Sequence, residues 1–198
     1  KKNIKIMKDI IILTKGKMKE VIEKFIIENI EFSSLKNYSY EEEFEYKNEY
    51  LIIATGDMKL RRQVWEKYKN CNFLNINRSK YSPQKMGKGN IIFPEVFFDY
   101  FTEIGNNNII SAGTTVNHHC KIGDNNLFGP GCHLSGSVII GNNCTFGSGV
   151  IVEPNSIIKD NTTIPSGTII VGNIEGRIIA KRNKNILSGE YKYSSLNK

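Results

Sequence analysis

The chain has 198 residues, 39% of them hydrophobic and 10% aromatic, enough for a real core in one compact domain or two small ones. No run approaches the roughly 18 consecutive apolar residues of a membrane span. The net charge of +7 favours anionic ligands such as nucleotides, but the lysines are scattered without an aromatic-interleaved patch, which argues against nucleic acid.

Lys1 to Asp9 alternate lysine with apolar residues and lack the apolar stretch and cleavage site of a signal peptide, so a cytoplasmic protein is expected. Richness in lysine, isoleucine and asparagine is read as genome composition with little functional weight. The four cysteines, Cys71, Cys120, Cys132 and Cys144, show no CxxC spacing and are expected as reduced thiols.

In chain order, Ile10 to Leu13 make a short apolar strand ending at Thr14-Lys15-Gly16-Lys17. A helix follows, with Met18, Val21, Ile22, Phe25 and Ile26 on one face at helical spacing. A second strand is expected near Ile30 to Phe32 and a third at Tyr50 to Thr55. Gly56-Asp57 then opens a helix carrying Leu60, Val64 and Tyr68, and Asn72 to Ile76 reads as a fourth strand. Such alternation predicts a small parallel α/β, Rossmann-like domain over residues 1–78, with residues 77–85 as linker. Ligands of open α/β sheets bind beyond the carboxyl ends of the strands. That makes Lys15, Gly16, Gly56, Asp57 and Arg61 candidate contacts for a phosphate-bearing substrate, although ordinary strand-to-helix turns would look the same.

From Met86 onward every sixth residue is large and apolar: Ile92, Phe98, Ile104, Ile110, Val116, Ile122, Phe128, Leu134, Ile140, Phe146, Val152, Ile158, Ile164, Ile170. Chance would produce such a run about once in a million. The next residue is often small or polar (Gly105, Ser111, Gly123, Gly129), and two places before each apolar residue sit slim side chains such as Thr114, Cys120, Cys132 and Cys144. A coil of three short strands accounts for both: the large residue fills a triangular prism, and the slim one tucks in at the corner. Glycine or asparagine takes the turn, where positive φ is cheap. Stacking of coils makes the core, and about five coils fit over residues 86–172, leaving 173–198 as a tail. Cysteines in the slim interior phase are structural and not nucleophiles, which need exposure and a lowered pKa.

The pattern resembles the left-handed parallel β-helix of hexapeptide acyltransferases, so the fold expected is mainly β, with that helix after the α/β domain. All three histidines, His118, His119 and His133, lie inside the repeat, the first two at turn positions. The segment Asn117-His118-His119-Cys120-Lys121-Ile122-Gly123-Asp124, with Gly129-Pro130-Gly131 and Leu134-Ser135-Gly136, is similar to the sialic acid O-acetyltransferase and bacillosamine-pathway N-acetyltransferase group. The resemblance implies acetyl transfer from acetyl-CoA to an amino or hydroxyl group of a sugar in bacterial surface glycan synthesis. It also implies His118 as general base, with His119 beside it as a further catalytic candidate, and the Gly136 amide as oxyanion donor. Histidine suits such a base near neutral pH, and the thioester oxygen needs a donor as charge develops. The family is trimeric and holds acetyl-CoA between adjacent subunits, which implies a homotrimer here, with Gly136, Gly147, Ser148, Ser166 and Gly167 lining the pantetheine groove and Lys181 and Arg182 near the CoA phosphates.

Three departures from the family stand out. Its acidic residue after the base is His119 here, leaving Asp124 or a neighbouring chain to replace the carboxylate. Its glycine-rich nucleotide loop is reduced to Thr14-Lys15-Gly16-Lys17. Its proline-containing exit is replaced by Gly172-Asn173-Ile174-Glu175-Gly176. Within the enzyme reading, a nucleotide-linked amino sugar is favoured over a sialic-acid-type or polysaccharide hydroxyl. A non-catalytic binding or scaffold protein is the competing reading. No metal is expected, because a metal enzyme of the γ-carbonic anhydrase type needs three suitably spaced histidines.

Overall fold

The structure is a computed structural model that describes residues 4, 5, 8–14 and 16–174. In the first part, strands β1 (Ile4–Lys5), β2 (Ile10–Thr14), β3 (Ile30–Glu31), β4 (Leu35–Ser39), β5 (Tyr50–Ala54) and β6 (Asn72–Phe73) accompany helices α1 (Met18–Asn29) and α2 (Met58–Tyr68). The main sheet is parallel, in the order β4-β2-β5-β6. Its two central strands are buried on both sides, as continuous apolar runs such as Ile10-Ile11-Ile12-Leu13 require. The strand expected near Ile30 to Phe32 is not in this sheet: β3 pairs with β1, and β4, whose residues are polar and half-exposed, takes the place beside β2.

The repeat folds as read. Fifteen two-residue strands run from Lys85–Met86 to Ile169–Ile170 and stack as three parallel faces of a prism, each strand pairing with the one 18 residues on. The positions stepped by six from Ile92 to Ile170 are buried and form one core, with Met86 packed against it. Phe128 and Phe146 stack inside at 4.6 Å between ring centroids. Three places after each apolar residue the backbone is left-handed: every sixth residue from Gly89 to Gly167 has φ between +56° and +71°.

The corner between the first and second faces is built from glycine and asparagine. Asn90, Asn108 and Asn126 are fully buried. The Oδ1 of Asn90 accepts from Asn108 N–H at 2.8 Å, that of Asn108 from Asn126 N–H at 2.8 Å, and that of Asn126 from Cys144 N–H at 2.7 Å. Their Nδ2 groups donate to the carbonyls of Gly105, Gly123 and Gly141. The asparagines thus satisfy buried backbone groups that the tight corner would otherwise orphan, and their abundance is structural here. Gly105 is needed because a Cβ would lie 2.9 Å from the carbonyl carbon of Gly123 in the next coil.

Residues 77–85 are bound along their length. Strand β7 (Ile76–Asn77) joins the second face by pairing with Ile91 and Ile92, Arg78 N–H donates to Ile92, and Gln84 N–H donates to Thr102. Ile91 and Ile109 on the outside of that face complete a core with Ile10, Ile12, Ile22, Ile26 and Ile52, so the α/β unit is fused to the first coils. Helix α1 buries Ile22 and Ile26 as expected but leaves Val21 43% exposed.

Arg61 ties the two parts together, and its reading as a substrate contact is corrected. It is fully buried, its Nη2 donates to Gly89 O at 2.6 Å, its Nε to Asn107 O at 3.4 Å, and its Nη1 to Ile53 O. Helical geometry explains this. Met58, Arg61, Val64 and Trp65 form the inward face of α2, so the arginine points at the β-helix corner rather than outward. Burial pulls its pKa down to about 9, while three carbonyl dipoles hold the charge.

Cys120, Cys132 and Cys144 sit in the slim interior positions, with exposures of 0%, 1% and 0%. Each thiol donates to a carbonyl 15 residues on, at 3.1 to 3.2 Å. Burial raises all three, Cys120 and Cys132 to about 11, so they stay protonated and unreactive near neutral pH.

Two measurements check this account. Replacing Arg61 by Met strands three carbonyls and is expected to cost about 3 kcal/mol in urea unfolding; an unchanged midpoint would show that Arg61 does not join the two parts. Titration of the native protein with a chromogenic thiol reagent at pH 8 is expected to label at most Cys71, the half-buried one of the four, with all four reacting after unfolding.

Candidate active site

Each coil offers three corners. The corner between the third and first faces carries, coil by coil, Asp99-Tyr100-Phe101, Asn117-His118-His119, Ser135-Gly136-Ser137 and Glu153-Pro154-Asn155. Val116 and Cys120 plug the interior on either side of the histidines, so His118 and His119 are left outside and exposed. The backbone there is clamped: His119 N–H donates to Tyr100 O at 3.1 Å, and Ser137 N–H donates to His118 O at 2.9 Å.

The His118 and His119 rings meet at Nδ1···Nδ1 3.1 Å, nearly perpendicular at 83°. Such a contact needs a hydrogen on one nitrogen and a lone pair on the other. If His118 Nδ1–H donates, its Nε2 keeps a lone pair directed away from the pair. His119 in turn lies against the Phe101 ring, centroids 4.8 Å apart.

Gly136, one coil on, lies beneath the His118 ring. A Cβ there would stand 2.5 Å from Cε1 and 2.7 Å from Nε2. Its φ is outside the left-handed region, so clearance for the ring, and not backbone freedom, is what glycine provides.

Asp124 does not substitute for the absent carboxylate. It belongs to the glycine-asparagine corner, where its Oδ1 accepts from Asn106 N–H at 2.6 Å and Asn106 Nδ2 at 3.2 Å. His133 faces outward on the third face, one ring nitrogen on Thr115 Oγ1 and the other 3.4 Å from Asn117 Nδ2. Among the described residues no three His, Cys, Asp or Glu side chains converge as a metal site.

Gly147, Ser148, Ser166 and Gly167 occupy a different corner, between the second and third faces. Gly147 and Ser148 line a groove of about 240 Å³ with Phe146 and Pro165, and Ser148 N–H donates to Ser166 Oγ at 3.1 Å. A whole face of the prism separates them from His118 and Gly136, so the two sets do not share a groove within one chain.

In the α/β unit, Thr14 pairs with Ala54, which sets the Gly16 and Gly56 turns side by side. Gly16 has φ +101° and open space around it; a Cβ added at Gly56 would meet Met18 Cε at 3.5 Å, an ordinary contact. Helix α1 begins without a side-chain cap, whereas Asp57 caps α2 by accepting from Lys59 N–H at 3.0 Å and Leu60 N–H at 3.1 Å. Lys15, Lys181 and Arg182 lie outside the described residues. One feature beside the histidines escaped the sequence reading. Tyr81, Phe97, Tyr100 and Phe101 line a cleft of about 510 Å³. The signal was present, since the left-handed positions of the repeat are mostly glycine or asparagine, and besides Phe101 only Glu95 and His119 place a large side chain there.

The bacterial transferase hexapeptide family, in its six-repeat form, matches residues 119–154. No curated protein sequence matches the chain. Among solved structures, the acetyltransferase domain of PglB from Neisseria gonorrhoeae, in complex with acetyl coenzyme A, is 18% identical, with 86% of this chain and 94% of that one covered at a TM-score of 0.72. PerB from Caulobacter crescentus, solved with CoA and GDP-perosamine, is 20% identical over 86% of this chain and 92% of that one, at 0.70. WeeI from Acinetobacter baumannii AYE is 16% identical over 88% and 97%, at 0.70. Residues 119–154 thus match a hexapeptide-repeat family, and the fold of the chain is the one these structures share.

Proposed function

We propose that this protein transfers an acetyl group from acetyl-CoA to the amino or hydroxyl group of a sugar, a nucleotide-linked amino sugar being favoured, in bacterial surface glycan synthesis. The observation that carries the reading is the His118 imidazole, exposed at a corner, anchored through Nδ1 on His119, with its ring over Gly136. The resemblance around Asn117-His118 and the nucleotide-sugar and CoA complexes of PerB point the same way.

The chemistry follows from that geometry. As the acceptor nitrogen or oxygen attacks the thioester carbon, His118 Nε2 takes its proton. The carbonyl oxygen becomes an oxyanion, and the Gly136 N–H, which has no acceptor among the described residues, is the donor for it. Collapse breaks the C–S bond, and the His118 imidazolium returns the proton to the departing CoA thiolate. Transfer is direct, since the buried cysteines offer no thiolate.

His119 takes the place of the family's acidic residue as positioning residue. An imidazole Nδ1 and an aspartate Oδ are both attached to Cγ, so the two acceptors fall at the same reach from the backbone. The imidazole orients His118 without supplying a negative charge. In the same reading the protein is a homotrimer with acetyl-CoA between subunits: Gly136 from one chain, Gly147, Ser148, Ser166 and Gly167 from its neighbour, and Lys181 near the phosphates. Ile139, Ile157 and Ile169, exposed on the first and third faces, support association of copies. The acceptor's nucleotide lies over the Gly16 and Gly56 turns with Lys15, where uncapped N–H groups of α1 favour phosphate; Asp57 shapes that turn as a helix cap.

Release of CoA thiol from acetyl-CoA over a panel of amino and hydroxy sugars, free and nucleotide-linked, tests the function. No turnover with any of them, together with no CoA binding, would sink it. His118→Ala is expected to lower turnover by about 10² to 10⁴ with CoA affinity kept. His119→Asp gives the base a carboxylate that stabilises its protonated form, so the acidic limb of the rate–pH profile should move to higher pH; an unmoved limb would remove His119 from that role. Gly136→Ala should push the His118 ring aside and lower kcat while leaving the melting temperature within a few degrees.

A further inference from the structure

Tyr100 and Phe101 are hard to explain as folding residues. They occupy the corner where later coils carry Gly136-Ser137 and Pro154-Asn155. Phe101 holds φ +61°, a conformation that costs a bulky L-residue roughly 1–2 kcal/mol. Neither ring is recovered by burial, since Tyr100 is 80% exposed and Phe101 54%. A bulky residue kept in a disfavoured conformation with over half its surface exposed, its ring resting on His119, points to function.

The rings form one wall of the 510 Å³ cleft, and the other is Tyr81, 50% exposed and set edge-on to Phe97 at 4.9 Å. That volume lies in the range of small-molecule sites. Lys80, Asp99 and Gln84 stand among the rings as polar groups. One wall of the cleft adjoins the histidines, which do not themselves line it: Phe101 lies against His119, whose ring meets that of His118.

We propose that this cleft is the subsite for the acceptor's pyranose ring, an inference that rests on the acetyl-transfer reading. A pyranose has the matching chemistry. Its two faces present C–H groups, which favour the electron-rich faces of aromatic rings, and its hydroxyls radiate around the rim. In the cleft the C–H face lies on Tyr100 and Phe101, the hydroxyls meet Lys80, Asp99 and Gln84, and the amino substituent is carried towards His118. The nucleotide turns of the α/β unit then need to fix only the diphosphate end of the acceptor.

Saturation-transfer NMR on the full chain tests the subsite without turnover, using methyl β-D-glucosaminide, a methyl 4-amino-4,6-dideoxyhexopyranoside and, as a non-sugar amine, cyclohexylamine. The variants are Tyr100→Ala, which removes an exposed ring, and Phe101→Asn, which keeps a residue suited to the left-handed turn. At least one pyranoside should bind the wild type and about tenfold more weakly to each variant, with CoA affinity unchanged. The subsite is overturned if no pyranoside binds, if the variants bind as the wild type does, if cyclohexylamine binds equally, or if the variants alter only the oligomeric state. Failure of the enzymatic reading is separate. It shows as absent CoA binding and absent thiol release while pyranosides still occupy the cleft; turnover with an acceptor KM unchanged in both variants sinks the subsite alone.

Discussion

Neighbouring strands of a sheet lie about 4.8 Å apart, and in this β-helix that spacing is imposed on every residue, because each sits directly over the one 18 positions on. A column of equivalent positions must therefore suit its neighbours above and below. Large apolar residues can stack as Phe128 does on Phe146, asparagine can pass hydrogen bonds from coil to coil, and glycine is required where two backbones touch. After those demands, few positions are free to vary, and most of them are the outward places of the corners. The candidate chemistry, His118, His119, Tyr100 and Phe101, occurs at those places.

The columns explain what could be read from the chain alone. A six-residue period in apolar size survives any inspection, because the interior has one shape at every level, and the slim column accounted for the cysteines. The asparagines were misjudged for an instructive reason. Abundance alone reads as composition, whereas Asn90, Asn108 and Asn126 fall 18 apart and form a ladder. Arg61 was misplaced because a charge near a strand end suggests a phosphate, yet its position on α2 shares a face with Val64 and Trp65. Pairing of β3 with β1, and the binding of residues 77–85 to the first coils, depend on contacts remote in sequence and leave no local pattern.

At the site the same contrast holds. His118 was legible from its turn position and its neighbours. His119 was legible as a catalytic candidate but its proposed manner of acting was not, because substitution of an acid by a histidine reads as loss when only charge is compared. The structure compares atoms instead, and an imidazole nitrogen meets His118 Nδ1 at 3.1 Å. The aromatic cleft is hidden from a six-residue period, because that period shows in the interior phase while Tyr100 and Phe101 stand in the turn.

An orienting partner that carries no negative charge changes how the proposed catalysis must be divided. A carboxylate both fixes the tautomer of a histidine base and stabilises the imidazolium formed in the transition state. In the proposed reading His119 supplies the first effect and little of the second, its Nδ1 accepting from His118 Nδ1–H. The deficit falls on positioning: on the clearance over Gly136 that fixes the His118 ring, on an amide aimed at the oxyanion, and on an acceptor held by its ring face beside the base. Placement of reacting groups is worth several kcal/mol when it is tight. An enzyme that depends on it more heavily should tolerate fewer acceptors, because an acceptor that sits loosely in the aromatic cleft loses the contribution that the missing charge no longer makes.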